Sequence, residues 1–294
     1  MNIDKKCAPS KKYVDGSCIP KDVLIQMANK WNEKNKTNKI IISQDKKKLV
    51  KQFENKLSNK CNNHSCWFGL EFVKQLENYS LLKDNMFLPK GPSGKYEWLS
   101  TSDIDNVINQ YQEIHKDFLF LGAVPYDFDN LKFLGIHNLD FNKLESSGTH
   151  KIGMVINLDE HYKSGSHWVG LYTDLNKNQI YFFDSVGKKP RKRIKIFINR
   201  ITKYLYRKKY NKELDINNII QHGSASSDLN KLLNHFDIRY NHIQHQFKDS
   251  ECGVYSINFI TRLVSGESFD NIINNVIKDD KMNSFRKNYF INVN

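Results

Sequence analysis

The sequence predicts an α+β fold preceded by a helical amino-terminal accessory region. Apolar residues recur at helical spacing through residues 1–90, whereas runs typical of β-strands appear from residue 118 onward. A last apolar run begins at Cys252 and has apolar residues on most sides, as in a helix buried in a core. The segment 89–94 is rich in Pro and Gly and separates the two parts. We therefore expect an accessory region at residues 1–90 and a second domain at residues 95–294.

Each predicted element has its own signal in the chain. Three apolar stripes predict short helices in the accessory region, and Ser100 with Asp103 is typical of a helix start in the second domain. The stripes are Val23, Leu24, Met27 and Trp31; Leu49, Val50, Phe53 and Leu57; and Trp67, Leu70, Val73 and Leu76. After that helix start, the chain predicts strands at 118–124 and 152–158, hairpin strands at 168–172 and 180–183, a basic helix from Pro190, a short helix at 228–234, a strand at 236–240 and a helix between Cys252 and Gly266.

The composition indicates a folded protein without a membrane or secretion signal. Hydrophobic residues make up 39% of the 294 residues, which is enough for a core and excludes a disordered chain. No apolar run approaches the length of a membrane span, and the first residues lack the apolar core of a signal peptide. We expect a protein that is not secreted, has no membrane partner and is made in a reducing compartment.

Four of the five cysteines lie in the accessory region. The intervals between Cys7 and Cys18 and between Cys61 and Cys66 do not fit a common zinc module well. Five cysteines in a chain of this length do not suggest a disulfide framework either. We expect buried free thiols at these four positions, with zinc as the alternative, and neither a metal nor a cofactor in the protein.

Two residues at the ends of the predicted hairpin form the first part of a candidate catalytic site. His167 precedes the first hairpin strand, and Asp184 follows the second. The start of one hairpin strand lies beside the end of the next, so we expect these side chains to be neighbours. A carboxylate fixes the tautomer of a neighbouring histidine, and such a histidine can take the proton of a cysteine. Either residue alone is more often structural.

The second part of the candidate site lies at the start of the buried helix. Cys252 is on the first helical turn, where the helix dipole favours the thiolate, which is the nucleophilic form. Its backbone N–H points out of the helix end and is free to bind an oxyanion, and the Gln246 amide can supply a second donor. A lone Cys-Gly pair is most often a small buried cysteine in a core helix. Catalysis is favoured instead by the ordered set His167, Asp184, Gln246 and Cys252.

This ordered set resembles the active site of the adenovirus-protease and SUMO-protease superfamily of cysteine peptidases. In that superfamily His-Trp, a following Asp and Gln-x5-Cys-Gly come in the same order, and a segment similar to Trp98-Leu99 opens the catalytic domain. Glu251 departs from the pattern, because many members have Asp before the cysteine. The resemblance implies an α+β, papain-like cysteine protease domain of the SUMO-protease type.

The resemblance also implies a role for each residue of the set. Cys252 is expected to attack the scissile carbonyl, with His167 as general base and then general acid. Asp184 is expected to orient His167. The Gln246 amide and the Cys252 N–H are expected to form the oxyanion hole.

Two tryptophans and the resemblance limit the range of substrates that we expect. Trp98 and Trp168 are expected to wall a narrow substrate channel, with core packing as the alternative for both. The resemblance to the superfamily implies substrates with small residues, of the Gly-Gly or Ala-Gly type, beside the cut. The Lys-, Asn- and Ile-rich composition, the basic helix and the helical amino-terminal region resemble the branch of the superfamily found in large DNA viruses. This resemblance implies an endopeptidase that matures capsid or core polyproteins and lies in the virion. The leading alternative removes SUMO or ubiquitin-like modifiers in a host cytoplasm or nucleus. A catalytically idle nucleic-acid-binding protein and an acyltransferase are further alternatives.

The net charge of +13 is concentrated in the predicted basic helix. An apolar stripe on one face of this helix leaves a basic outer face. The functional interpretation is sequence-blind binding to the DNA backbone, because few aromatic residues interleave with the charges. A solvated lysine face is the alternative. The candidate DNA contacts are Arg191, Lys192, Lys195, Lys203 and Lys208.

Overall fold

The computed structural model of the protein describes residues 13–59, 61, 64–77, 79, 88–214 and 235–290. The chain divides into two compact units, of which one comprises 1–95 with 285–294 and the other 96–284. The described residues 285–290 thus belong to the amino-terminal unit, whereas the sequence predicts a second domain over residues 95–294. Among the described residues, no helix combines the length and the apolar character that a membrane crossing requires.

The amino-terminal unit is helical. Its core is formed by the apolar stripes predicted from the sequence, including the fully buried Phe53 and Trp67, whose rings pack 5.4 Å apart. The third stripe forms two short helices rather than one, because the chain turns at residues 68–70. The helices are α1 (Lys21–Lys34), α2 (Lys46–Leu57), α3 (His64–Trp67), α4 (Glu71–Lys74) and, near the carboxyl end of the chain, a single turn (Arg286–Tyr289).

The expectation of free thiols in the amino-terminal unit is wrong for two cysteines. Cys18 and Cys61 are both buried and disulfide-bonded. Spacing along the chain did not reveal this, because the fold decides which sulfurs come within bonding distance. Cys7 and the side chain of Cys66 lie outside the described residues.

The second unit is an α+β domain built on one five-stranded sheet. The strands lie in the same order in space as in the chain, with parallel pairs at the two edges and antiparallel pairs between them. The strands are β1 (Phe118–Val124), β2 (Lys151–Asn157), β3 (Trp168–Asp174), β4 (Gln179–Phe183) and β5 (Asp237–Tyr240). The helices are α5 (Thr101–Ile114), α6 (Phe141–Ser146), α7 (Lys192–Tyr210), α8 (Cys252–Val264), α9 (Phe269–Asn274) and α10 (Asp279–Ser284).

Local signals in the sequence account for the start and end of the elements that flank the site. The Ser100 hydroxyl accepts from the Asp103 N–H, and the Asp103 carboxylate accepts from the Ser100 N–H, so α5 begins with the predicted capping box. Gly266 has a φ of +93°, which suits the residue after a helix end. The basic helix begins at Lys192 rather than at Pro190. The helix predicted at 228–234 lies outside the described residues.

Two glycines let α8 approach the sheet closely. A Cβ on Gly170 of β3 would lie 2.7 Å from Phe259 Cδ1, and a Cβ on Gly153 of β2 would lie 3.2 Å from Ile260 Cγ2. Both apolar side chains belong to α8 and are buried. At the start of the same helix, a Cβ on Gly253 would lie 3.0 Å from Leu99 Cβ. Three close contacts, two with the sheet and one with Leu99, therefore fix the position of the helix that begins with Cys252.

Candidate active site

The β3–β4 hairpin brings His167 and Asp184 together as the sequence predicted. Gly170 pairs with Phe183, so the start of β3 lies beside the end of β4. The His167 carbonyl accepts from the Leu158 N–H at 2.8 Å, which extends the ladder by one residue and fixes the backbone that carries the imidazole. His167 Nε2 and Asp184 Oδ1 lie 2.7 Å apart, and the carboxylate is buried. This contact can hold the ring in one orientation.

The charge state of His167 is set by both of its neighbours. Burial lowers its pKa, but hydrogen bonds and charge interactions with Asp184 and Cys252 outweigh burial and raise the pKa to about 9. Since Nε2 faces Asp184, Nδ1 is the ring nitrogen that remains for Cys252. The imidazole is therefore within hydrogen-bond reach of the thiol and protonated at neutral pH.

Cys252 is the first residue of α8 and is only 3% exposed. Its N–H belongs to the first turn of the helix and so has no partner within the helix. The Glu251 side chain does not cap this helix end, because its carboxylate accepts from Ser250 at 2.9 Å and from Asn283 at 2.8 Å. The helix dipole and the imidazolium of His167 can both stabilise a thiolate at this position.

Gln246 lies in the loop before α8, as predicted, and is buried. Its Nε2 donates to the Lys248 carbonyl at 2.5 Å, and its Oε1 accepts from the Ser185 hydroxyl at 2.5 Å. One N–H of the amide thus remains for a substrate oxyanion. Four groups with the chemistry of a thiol peptidase are therefore held on one hairpin, one loop and one helix end.

The chain is similar to known cysteine proteases. The family model for the Ulp1 protease family, C-terminal catalytic domain, matches residues 149–294, which include all four candidate residues. A protein of Acanthamoeba polyphaga mimivirus, described as a thiol protease, is 34% identical over 99% of this chain and 94% of its own length. The chain belongs to the Ulp1 protease family. It is a cysteine peptidase whose substrates are proteins.

Relatives in another large DNA virus extend the likeness to the fold. A protein of African swine fever virus, described as a SUMO-1 cysteine protease, is 22% identical, over 83% of this chain and 89% of its own length. The crystal structure of a protease from this virus superposes with a TM-score of 0.53 at 20% identity and covers 84% of this chain and 90% of that one. The α+β fold of the SUMO-protease type, with amino-terminal helices, is confirmed.

The two tryptophans of this Ulp1-family chain differ in their surroundings. Trp168 is buried, and its Nε1 donates to the Leu99 carbonyl at 2.9 Å, so it anchors the segment that packs on Gly253. Trp98 is 48% exposed and lies in that same segment. Trp98 is therefore available to a substrate, whereas Trp168 has the contacts of a core residue.

Asn241, for which the sequence predicts no role, holds Asp184 in place. Its side chain is buried; Oδ1 accepts from the Asp184 N–H at 2.8 Å and Nδ2 donates to the Asp184 carbonyl at 2.7 Å. These two bonds continue the pairing of β4 with β5, because Asp184 directly follows β4 and Asn241 directly follows β5. The only signal in the chain was an amide at the end of a predicted strand, and such residues are common in turns.

Two of the five candidate DNA contacts, one just before α7 and one in it, are engaged within the fold. Arg191 donates to the Leu158 carbonyl at 3.0 Å, and Lys208 pairs with Glu145 at 2.6 Å. Among the residues that the structure describes, no ion pair engages Lys192, Lys195 or Lys203. These three are the candidate DNA contacts that remain available on α7.

Replacing Lys192, Lys195 and Lys203 with Glu is expected to abolish sequence-independent duplex binding and to spare cleavage of a short peptide. Affinity of the unaltered protein should fall steeply between about 50 and 200 mM salt, because phosphate contacts release counterions. Fluorescence anisotropy with two unrelated duplexes measures both effects. A charge-matched control replaces Lys47, Lys48 and Lys51 of α2. Equal affinity of the two variants would make the α7 face an ordinary solvated surface.

Proposed function

We propose that this Ulp1-family protease is an endopeptidase that cuts after small residues, at Gly-Gly or Ala-Gly sites, and matures structural polyproteins of a large DNA virus. The observation that supports the site preference is the burial of Cys252, which is only 3% exposed. A carbonyl reaches such a sulfur only if the residues beside it carry little or no side chain. Trp98 is exposed and directly precedes Leu99, which packs on Gly253, so we assign Trp98 to one wall of the approach.

The proposed reaction assigns one step to each residue. The Cys252 thiolate adds to the scissile carbonyl carbon, and the carbonyl electron pair moves to the oxygen. The Gln246 amide and the Cys252 N–H stabilise that oxyanion. His167 then donates its proton to the departing amine and later takes a proton from the water that hydrolyses the thioester. Asp184 keeps His167 oriented in both steps.

Viral relatives support the polyprotein interpretation. The similar proteins described above come from mimivirus and African swine fever virus, and the mimivirus protein matches nearly the whole chain. The proposed location is accordingly the virion. The leading alternative is removal of SUMO or another ubiquitin-like modifier, which is supported by the description of the African swine fever virus protein as a SUMO-1 cysteine protease.

A panel of substrates separates these two functions. One arm contains short peptides with Gly-Gly-Ser or Ala-Gly-Ser and matched peptides in which Leu replaces either small residue. The other arm contains SUMO and ubiquitin precursors with carboxyl-terminal extensions, and the Cys252→Ala variant is the blank. We expect cleavage of the small-residue peptides alone. Cleavage of a SUMO or ubiquitin precursor at rates well above those on peptides would favour modifier removal.

Gln246→Ala is expected to lower kcat by about 10²–10³-fold with little change in KM. An oxyanion donor acts in the transition state rather than in substrate binding, and its loss costs roughly 2.7–4 kcal/mol of activation free energy. Gln246→Glu, which keeps the side-chain size but loses the NH₂ donor, should behave similarly. Steady-state kinetics on the best peptide measures both. A change mainly in KM would make Gln246 a substrate contact.

A further inference from the structure

Gln246 is useful as an oxyanion donor only in one orientation of its amide. If the amide turned over, it would present a carbonyl oxygen to the developing oxyanion and repel it. Lys248 fixes one end of the amide, because its backbone carbonyl can only accept and therefore faces Nε2, at 2.5 Å. The opposite end, Oε1, must then meet a donor inside the protein.

That donor is the Ser185 hydroxyl, which is buried and lies 2.5 Å from Oε1. The Ser185 backbone also holds the loop that carries the glutamine. Its carbonyl accepts from the N–H groups of His245 and Gln246, each at 2.8 Å. Ser185 thus contacts both the side chain and the backbone of a residue that is 61 positions away in the chain.

We propose that Ser185 is a positioning residue for the oxyanion hole, acting through Gln246. Because Ser185 directly follows Asp184, one dipeptide after β4 orients both the general base and the oxyanion donor. The carboxylate of the first residue orients His167, and the hydroxyl of the second orients the Gln246 amide. This inference rests on the proposed role of Gln246 and does not depend on the sequence of the substrate.

A purely structural role for the Ser185 hydroxyl predicts different behaviour. Removing a buried donor leaves Oε1 without a hydrogen bond and lowers stability in either case. Only the positioning role predicts that removing the Ser185 hydroxyl no longer lowers activity once Gln246 has been replaced. A double-mutant cycle detects this, because two residues that act as one unit do not have additive effects.

The experiment compares the kinetics of Ser185→Ala, Ser185→Thr, Gln246→Ala and the double variant Ser185→Ala/Gln246→Ala. The matched control is Thr173→Val on the same hairpin, which removes a buried hydroxyl that donates to the Gln179 carbonyl at 2.7 Å. Three quantities are measured on the full chain: kcat and KM on a Gly-Gly peptide, the inhibition constant of acetyl-Gly-glycinal, and the rate of Cys252 alkylation by iodoacetamide. The aldehyde forms a tetrahedral adduct that needs the oxyanion hole, whereas alkylation does not.

Ser185→Ala is expected to lower kcat by about 10- to 10²-fold and to weaken aldehyde binding, with KM and the alkylation rate unchanged. Ser185→Thr, which keeps the hydroxyl, should restore most of kcat, and Thr173→Val should keep it. The double variant should be no slower than Gln246→Ala. Losses that multiply in the double variant, or an unchanged kcat in a folded Ser185→Ala, would overturn the inference. If the unaltered protein is alkylated at Cys252 but neither cuts Gly-Gly peptides nor binds the aldehyde, the proposed substrate class fails. The cycle is then run on whichever substrate of the panel is cut, and its outcome decides the role of Ser185 separately.

Discussion

Cys252→Ala is expected to abolish cleavage, with a loss of kcat on the order of 10⁶ that leaves no turnover above the blank. No other group at the start of α8 can form the thioester, and the oxyanion hole alone gives only a small residual rate. Single-turnover assays with excess purified enzyme set the limit of detection. The control on the same helix is Thr261→Val, whose hydroxyl bonds the Ile257 carbonyl at 2.8 Å and which should retain activity.

The fold of the Cys252→Ala variant is expected to be intact. The side chain is small and alanine fills most of its space, so the circular dichroism spectrum and the thermal midpoint should change little. Measurable turnover by this variant would refute the assignment of the nucleophile. So would activity that persists after alkylation, once mass spectrometry has located the alkyl group on Cys252.

His167→Ala is expected to cause a loss of kcat of similar size, because the thiolate loses its counterion and the leaving amine loses its proton donor. The matched control is His150→Ala at the other end of the sheet, where His150 Nδ1 lies 3.2 Å from Asp174 Oδ1. That pair resembles the one in the site but lies far from Cys252 along β3. If both variants lost activity equally, the effect of His167→Ala would be one of stability rather than catalysis.

The pKa of His167 also predicts the pH dependence of the unaltered protein. It is raised to about 9, so the imidazolium is present at neutral pH and is lost as the pH rises through about 9. The profile of kcat/KM should therefore fall on the alkaline side with a midpoint near 9. Protonated His167 also stabilises the folded protein, because its pKa is higher in the folded than in the unfolded chain. This contribution to the free energy of unfolding is fully present below pH 6.5, the ordinary pKa of histidine, and is lost as the pH rises through about 9. An alkaline limb with its midpoint below about 7 would contradict this arrangement.

The parts of the site that rest on local sequence were predictable. Strand periodicity and a polar turn place His167 beside Asp184, and apolar residues at helical spacing place Cys252 at a helix start. Contacts between distant loops were not predictable. Two such contacts are the hydrogen bonds of Ser185 to Gln246 and of Asn241 to Asp184. Both depend on the path of the chain after β5. Serine and asparagine at strand ends are too common in turns to signal such contacts.

The disulfide bonding of Cys18 and Cys61 was not predicted, and the choice between channel wall and core packing for Trp168 stayed open, for a related reason. Sequence gives the residue type, but the neighbours that decide its state come from elsewhere in the fold. A tryptophan that follows the candidate base His167 is equally compatible with a channel wall and with a position in the core. The hydrogen bond of its indole to Leu99 distinguishes the two.

The order of the strands has a consequence for the newly made chain. The residues of β1 to β4 are made before β5 and α8, and β2, β3 and β4 pair with their immediate neighbours in sequence. His167, the proposed base, is therefore made before Cys252, the proposed nucleophile, which follows β5. With the site assigned as proposed, the chain lacks its nucleophile until synthesis has passed Cys252, so we expect no cleavage of neighbouring nascent proteins before α8 has packed on the sheet.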